Sequence, residues 1–316
     1  MSSIKKPILE SENTPIQTAF SQQRIEAWRP LFTPTIVFTL SVIVGSLFLG
    51  VGLYFMNMTD SMYEEEIRYD DVCSENSTCI VNFSVTNEVS NVYMFYKLTN
   101  FYQNHRRYVF SRNYEQLRGE YVDFDDMENC DPYRSINGST EPKNWILPCG
   151  AVANSYFNDS YEILKESGEP VPTTYSGIAW RSDLEKLFKN LSSEYKTGYR
   201  WMNLSNIEGE QRNEHFIVWM RTSSLPTFIK LFARNIKLDP GNYSLVINNQ
   251  YPKHAFGGEK SVILSTLTIF GGKNTLIYMS YIVVGSSFLV FSFFVLMIRI
   301  CCPRELGDAN YVKFND

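Results

Sequence analysis

Residue types that do chemistry are present in this 316-residue chain, but their spacing commits them to none. The three histidines, His105, His215 and His254, stand at no metal-ligand spacing from one another or from any cysteine. No Gly-x-Ser-x-Gly turn presents a nucleophilic serine, and Gly271-Gly272-Lys273 lacks the upstream glycine of a phosphate-cradling loop. Carboxylates are plentiful, yet no pair is marked by spacing as the acid and base of a glycosidase. One dense cationic cluster, His105-Arg106-Arg107 with Arg112, lies among Tyr102, Tyr108 and Phe110. It could grip an anion such as a lipid headgroup. The favoured reading is pairing with the nearby carboxylates Glu115, Asp123, Asp125 and Asp126, which adds little stability when exposed. The expectation is no catalytic residue, no cofactor and no metal.

Two covalent patterns do stand out. Cys73, Cys79, Cys130 and Cys149 allow three disulfide pairings, of which sequence proximity favours Cys73–Cys79 and Cys130–Cys149. The second would close a loop worth about 3 kcal/mol in the entropic model. Asn-x-Ser/Thr occurs at Asn57, Asn76, Asn82, Asn137, Asn158, Asn190, Asn203 and Asn242, about twice the chance number. Asn57 abuts an apolar run, which leaves seven candidate glycosylation sites. The remaining cysteines, Cys301 and Cys302, follow the second apolar run, where thiols can be acylated or stay free.

What positions these residues is a pair of uncharged apolar runs, 35–56 and 276–298. The first has 22 residues and as a helix spans roughly 33 Å, enough for a hydrocarbon core of about 30 Å. The 34 residues ahead of it and the lack of a small-residue cleavage site argue for an anchor rather than a cleaved signal. The predicted organisation is a tail (1–34), a span (35–56), a central segment (57–275), a second span (276–298) and a tail (299–316).

Arg24, Arg29, Arg299, Arg304 and Lys313 flank the spans on the tail side, against Arg68, Lys260 and Lys273 on the other. Since all eight sequons fall in the central segment, that segment is expected to face the lumen or exterior and both tails the cytosol. Its net charge of −6 and this topology exclude nucleic acid. Neither span holds an Asp, Glu, Lys, Arg or His, which argues against an ion path through this chain alone. Small residues form two faces on the first span, Ser41 with Gly45 and Gly52, and Ser46 with Gly50. A third cluster, Gly285-Ser286-Ser287, marks the second span. Their partner could be the other span, a second copy or a different protein.

The central segment reads mainly as β. Alternation of Val81, Phe83 and Val85 predicts a half-buried strand, and Phe216–Met220, Tyr243–Ile247 and Ser261–Leu264 read likewise. One helix is expected through Leu184, Leu187, Phe188 and Leu191, with Ser182 and Glu185 as its capping box. Tyr114 to Pro172 reads as loop. Ahead of the first span, Pro30 and Pro34 prevent a straight helical continuation, Trp28 suits the membrane interface and Arg29 the headgroup level.

These residues also carry a resemblance. Phe20-Ser-Gln-Gln-Arg24, Ala27-Trp-Arg-Pro30 and Thr33-Pro34 resemble the cytosolic approach segment of the cell-division-control-fifty family, also called ligand-effect modulators. Tyr102 to Tyr108, Pro148-Cys-Gly-Ala151, Gly177-Ile-Ala-Trp180, Phe216 to Thr222, Leu225-Pro-Thr-Phe228, Ile263-Leu-Ser-Thr266 and Gly271-Gly-Lys-Asn274 continue the match in order. The resemblance implies two transmembrane helices flanking a mainly antiparallel β extracytoplasmic domain with a few helices, long loops, two disulfides and several N-glycans. It implies a non-catalytic accessory subunit of a type-four P-type ATPase, a phospholipid flippase, in a heterodimer that contacts membrane lipids. Such a subunit supports its pump's folding, exit from the endoplasmic reticulum and transport cycle, and travels to Golgi, endosomes and plasma membrane. The tail residues Arg24, Trp28, Arg29, Pro30 and Pro34 are the expected grip on the pump. Arg181-Ser182, Ile269 and a compact Cys73–Cys79 loop depart from the family pattern. The alternative from another class is a subunit of a two-span ligand-gated ion channel.

Overall fold

The computed structural model describes residues 18–25, 32–190, 199–200 and 210–303. The chain divides at Met56/Asn57 and Thr275/Leu276 into two compact units.

The first unit is a pair of long helices, α1 (Pro34–Asp60), which runs on past the boundary, and α6 (Thr275–Cys301). Each has 27 residues, about 40 Å of helix, and both are apolar enough to cross a membrane. Thr33 opens α1, its hydroxyl accepting from the Ile36 amide at 3.4 Å, and Pro34 takes the first helical position, where a missing N–H costs nothing. The protein is thus a two-span integral membrane protein.

The second unit is built on two antiparallel sheets. The strands are β1 (Glu64–Arg68), β2 (Ser77–Val85), β3 (Val89–Leu98), β4 (Ile146–Leu147), β5 (Ser160–Lys165), β6 (Tyr199–Arg200), β7 (Phe228–Leu238), β8 (Gly241–Asn249) and β9 (Lys260–Ser265). Sheet one has the order β1-β9-β3-β7 and sheet two the order β2-β8-β5, while β4 and β6 form a small parallel pair. Their inward rows, Val92, Met94, Tyr96 and Leu98 from β3 and Tyr243, Leu245 and Ile247 from β8, belong to one core. The period-2 alternation that buries these rows leaves the other face of each sheet free to differ in character.

Short helices close the ends: α2 (Arg106–Phe110), α3 (Tyr114–Leu117), α4 (Ala151–Asn154) and α5 (Glu214–Met220). The last is a correction, since Phe216–Met220 is helix, not strand. The Asn213 side chain accepts from the His215 and Phe216 amides, capping the first turn. Phe216, Ile217, Trp219 and Met220 are all buried. An apolar run buried on every side has no distinguishing period, so the local cap decided its conformation.

The helix expected from Leu184 is also corrected. Only a five-residue π turn, Asp183–Leu187, forms; Ser182 makes no capping bond, and Glu185 pairs with Arg181 at 2.6 Å. Phe188 is extended, and the next amide, Lys189, donates to Leu117 O at 2.9 Å, drawing the chain away from a helical path. Leu191 lies outside the described residues. Finally, the segment expected to be loop contains β5, whose Tyr161 and Ile163 enter the core.

Candidate partner interface

The small residues of the spans resolve into one used face and one open face. Gly45 and Gly285 meet so closely that a Cβ on Gly285 would lie 2.6 Å from Leu49 N and 2.9 Å from Gly45 O. Gly52 abuts Ile282, and Phe48 and Phe55 pack on Tyr281 with ring centroids 5.4 and 5.8 Å apart. The first small-residue face therefore serves the other span. Ser46 and Gly50 are exposed, and nothing lies within 4 Å of a Cβ built on Gly50, so this second face is available to another helix.

Several motif residues of the central unit, with Phe101 beside them, are architectural. Phe101 packs on Tyr108, Trp219, Phe228, Tyr251 and Phe256. Gln103, fully buried, accepts from Ser223 N, and the Trp219 indole donates to Val152 O at 2.8 Å. The Glu214 carboxylate gathers three successive amides, Gly177, Ile178 and Ala179, at 2.7–2.9 Å, which turns the chain and leaves Trp180 67% exposed. Gly150 has φ +104, and a Cβ there would lie 2.1 Å from Ser111 O, so no other residue fits the approach of the two backbones.

Lys230 closes the C-terminus of α5, donating to Val218 O, Trp219 O and Arg221 O. Burial and the neighbouring Arg221 bring its ammonium down to about 7.

A buried ion pair links the two sheets, and nothing in the sequence pattern marked it. Lys260, counted from sequence among the membrane-flanking charges, is fully buried. Its three protons go to Asp159 Oδ2 at 2.7 Å, Asn249 Oδ1 and Tyr251 O. Asp159 also accepts from Tyr69 OH, Gln250 N and Tyr251 N. Tyr69 in turn meets Tyr161 OH at 2.8 Å. Burial and the adjoining Tyr161 and Asp159 push the Tyr69 phenol well above its ordinary range, so it stays neutral. The signal available in sequence was a Lys at the start of an apolar strand, indistinguishable there from a surface charge.

The cationic cluster contradicts its expected pairing. Among the described residues, no carboxylate lies within ion-pair distance of His105, Arg106, Arg107 or Arg112. Arg112 instead donates to Met220 O at 2.8 Å and stacks over Tyr114. His105, Arg106 and Arg107 are exposed and, with Phe110, border an open cavity of about 1010 Å³. Among the described residues no three His, Cys, Asp or Glu side chains converge as a metal site.

Cys73 is joined to Cys79 and Cys130 to Cys149. The latter bridge is buried with Val122, Met127, Trp145 and Leu147 in a second small core. Of the glycosylation candidates, Asn76, Asn82, Asn137, Asn190 and Asn242 are exposed, Asn158 is half-buried, and Asn203 lies outside the described residues. Asn82 pairs with Ser244 and Ser84 with Asn242, so both asparagines occupy the outer face of sheet two. The outer face of sheet one has no described sequon. It presents an apolar row of Leu231, Phe95 and Ile263, with Tyr93 stacked on Phe95 at 6.4 Å and Ile229 52% exposed. Of the tail residues, Arg24 is exposed in a turn, its amide bonded to Ala19 O, and Pro34 begins α1. Trp28, Arg29 and Pro30 lie outside the described residues. The two faces of the sandwich thus differ in what could approach them.

A family model described as the LEM3 (ligand-effect modulator 3) family / CDC50 family matches residues 37–305, through both spans and the whole β domain. The chain belongs to this family. It is 38% identical to cell cycle control protein 50A of Mus musculus over 320 residues, covering 87% of this chain and 86% of that protein. ALA-interacting subunit 3 of Arabidopsis thaliana is 32% identical, with 97% and 92% of the two chains covered. A third relative, the phospholipid-transporting ATPase accessory subunit CRF1 of Saccharomyces cerevisiae, is 30% identical, covering 99% and 93%. Among the motif positions, Trp180 and Leu225 are each 67% exposed, and Arg106 and Arg107 are exposed beside them in the family pattern.

Proposed function

We propose that this chain is the non-catalytic accessory subunit of a phospholipid-translocating P-type ATPase, with the ATPase site on the partner chain. One observation carries the reading: a relative matched across nearly its full length, both spans included, is named an accessory subunit of a phospholipid-transporting ATPase. The channel alternative has no comparable support.

In this proposal the central unit is lumenal or extracellular, the tails are cytosolic, and the subunit holds the pump from three sides. The open Ser46/Gly50 face receives a helix of the pump. The outer face of sheet one, which carries no described sequon, and the Arg106-Arg107 cavity meet its exoplasmic loops. Arg24, Trp28, Arg29, Pro30 and Pro34 grip it from the cytosol. Glycans on Asn82 and Asn242 would keep the opposite sheet face in solvent. Such a clamp alters turnover only by binding some conformations of the pump's cycle more tightly than others. The same clamp would support the pump's folding and exit from the endoplasmic reticulum toward Golgi, endosomes and plasma membrane.

The test is affinity purification of the full chain with mass spectrometry of what accompanies it. A ten-span ATPase recovered in equal amount supports the proposal; its absence from every membrane fraction overturns it. Replacing Trp28 and Arg29 by Ala should reduce recovery, and unchanged recovery removes the tail from the clamp.

A further inference from the structure

A cavity of about 430 Å³ opens beside the start of β5. Its walls are largely aromatic: Tyr161 and Phe232 meet edge to face at 4.9 Å, Tyr175 lies 5.7 Å from Phe232, and the His215 ring lies 4.5 Å from it. Asn158 and Gln250 supply amides to the same wall, with Asn158 Nδ2 3.5 Å from Gln250 Oε1.

The chemistry of the wall narrows the occupant. Asp159 also borders the cavity, but its oxygens are taken by Lys260, Tyr69 and two backbone amides, so it offers no free charge to a cation. His215 Nδ1 is buried with no hydrogen-bond partner. Burial also holds the His215 ring down at about 4, so at neutral pH it is uncharged, with one donor and one acceptor. Flat rings, a few amides and a neutral imidazole suit an uncharged, polyhydroxylated ligand with apolar C–H faces. Asn158 is moreover the asparagine of an Asn-Asp-Ser sequon, and among the described sequons it is the one half-buried at this wall.

We propose that the cavity is the seat of the first N-acetylglucosamine of a glycan carried on Asn158, so that this glycan is a built-in part of the fold. The inference rests on the lumenal placement of the central unit. The bond would form before the chain folds. Asn158 Nδ2 attacks the anomeric carbon of a lipid-pyrophosphate-linked oligosaccharide, the C1–N bond replaces the C1–O bond, and the amide proton leaves with the lipid pyrophosphate. On folding, the tethered sugar reaches the cavity at a high effective concentration, so weak stacking suffices to hold it. It covers the Tyr175 and Phe232 rings. The outward glycans of Asn82 and Asn242 have no such seat.

The test uses the full chain purified with its pump. Glycopeptide mass spectrometry should find Asn158 occupied. Glycans elsewhere with Asn158 bare would overturn the seat and leave the topology standing; no glycan at any sequon would overturn both. Peptide-N-glycosidase acting on the folded complex should release the Asn158 glycan at least about tenfold more slowly than that of Asn82, because release requires local opening. Tyr175→Ala should then speed release at Asn158 without changing it at Asn82. Equal rates at the two sites in the unaltered protein, or no acceleration in the variant, would overturn the proposal.

Discussion

Removing either end of the Lys260–Asp159 pair should cost more than any surface change, because both side chains are fully inaccessible. Lys260→Met leaves a buried carboxylate and strips the donors from Asn249 Oδ1 and Tyr251 O. Breaking a buried pair from one side costs about 3–5 kcal/mol. For a unit of this size, each kcal/mol shifts the melting temperature by about 2–4 °C, so the variant should melt about 6–20 °C lower. Asp159→Asn strands the ammonium and should cost a similar amount. The double variant, Lys260→Met with Asp159→Asn, leaves no uncompensated charge and should cost only about 1 kcal/mol more than either single change, a coupling of about 2–4 kcal/mol. The assay is urea and thermal unfolding of the full chain in detergent, followed by tryptophan fluorescence, for all four proteins. Single costs that add within about 0.5 kcal/mol would show that the pair is not an energetic unit, and the argument for a lock between the sheets would fail.

Three further outcomes are expected. Gly285→Leu should separate the two spans, overpacking of this kind costing about 1–3 kcal/mol, whereas Gly50→Leu should leave them paired and reduce pump recovery. Cross-linking between Cys residues placed at Phe48 and Tyr281 reads this directly, and an unchanged yield in Gly285→Leu would refute it. Converting Cys130 and Cys149 to Ser should cost about 3 kcal/mol and expose the segment around Trp145 to protease; an unaltered digestion pattern would count against the bridge.

The third concerns pH. Burial holds His215 at about 4 in the folded chain, against about 6.5 unfolded, so the unfolded state binds the extra proton. Its contribution is complete above pH 6.5 and is lost as pH falls toward 4, by up to about 3 kcal/mol. His215→Gln should flatten that slope, and a slope equal to the native one would exclude His215 as its source.

How much of this was legible beforehand differs from element to element. The spans were plain, because uncharged runs of that length have few other fates. Strand β8 was legible because one of its faces is buried and alternation follows, whereas β9, buried on both faces except at Ile263, shows only as a short apolar run. Helix α5 was not, since Phe216 to Met220 is buried all round and carries no period; its identity rests on the Asn213 cap. The turn at Asp183 failed in the opposite direction. Its apolar spacing was helical, but the tie from Lys189 to Leu117 outweighed it.

The cationic cluster was misread because sequence proximity brought carboxylates near Arg106 and Arg107 that the fold keeps out of ion-pair range. Family motifs pointed to the right positions without saying which were scaffold and which were surface. Gln103 and Trp219 proved to be core, while Trp180 and Leu225 stand in solvent.

By itself the sequence determined the two membrane helices, the sequons and the family, because each depends on local composition or on order along the chain; it favoured the sulfur pairs that the structure forms. The partners of Lys260, the use of Gly45 against Gly285, and the meeting of Asn158 with rings from β5, β7 and α5 were decided only by the tertiary structure. The physical reason is that each joins groups far apart in sequence, and a buried charge, a bare backbone contact or an aromatic wall is defined by what the fold brings to its other side.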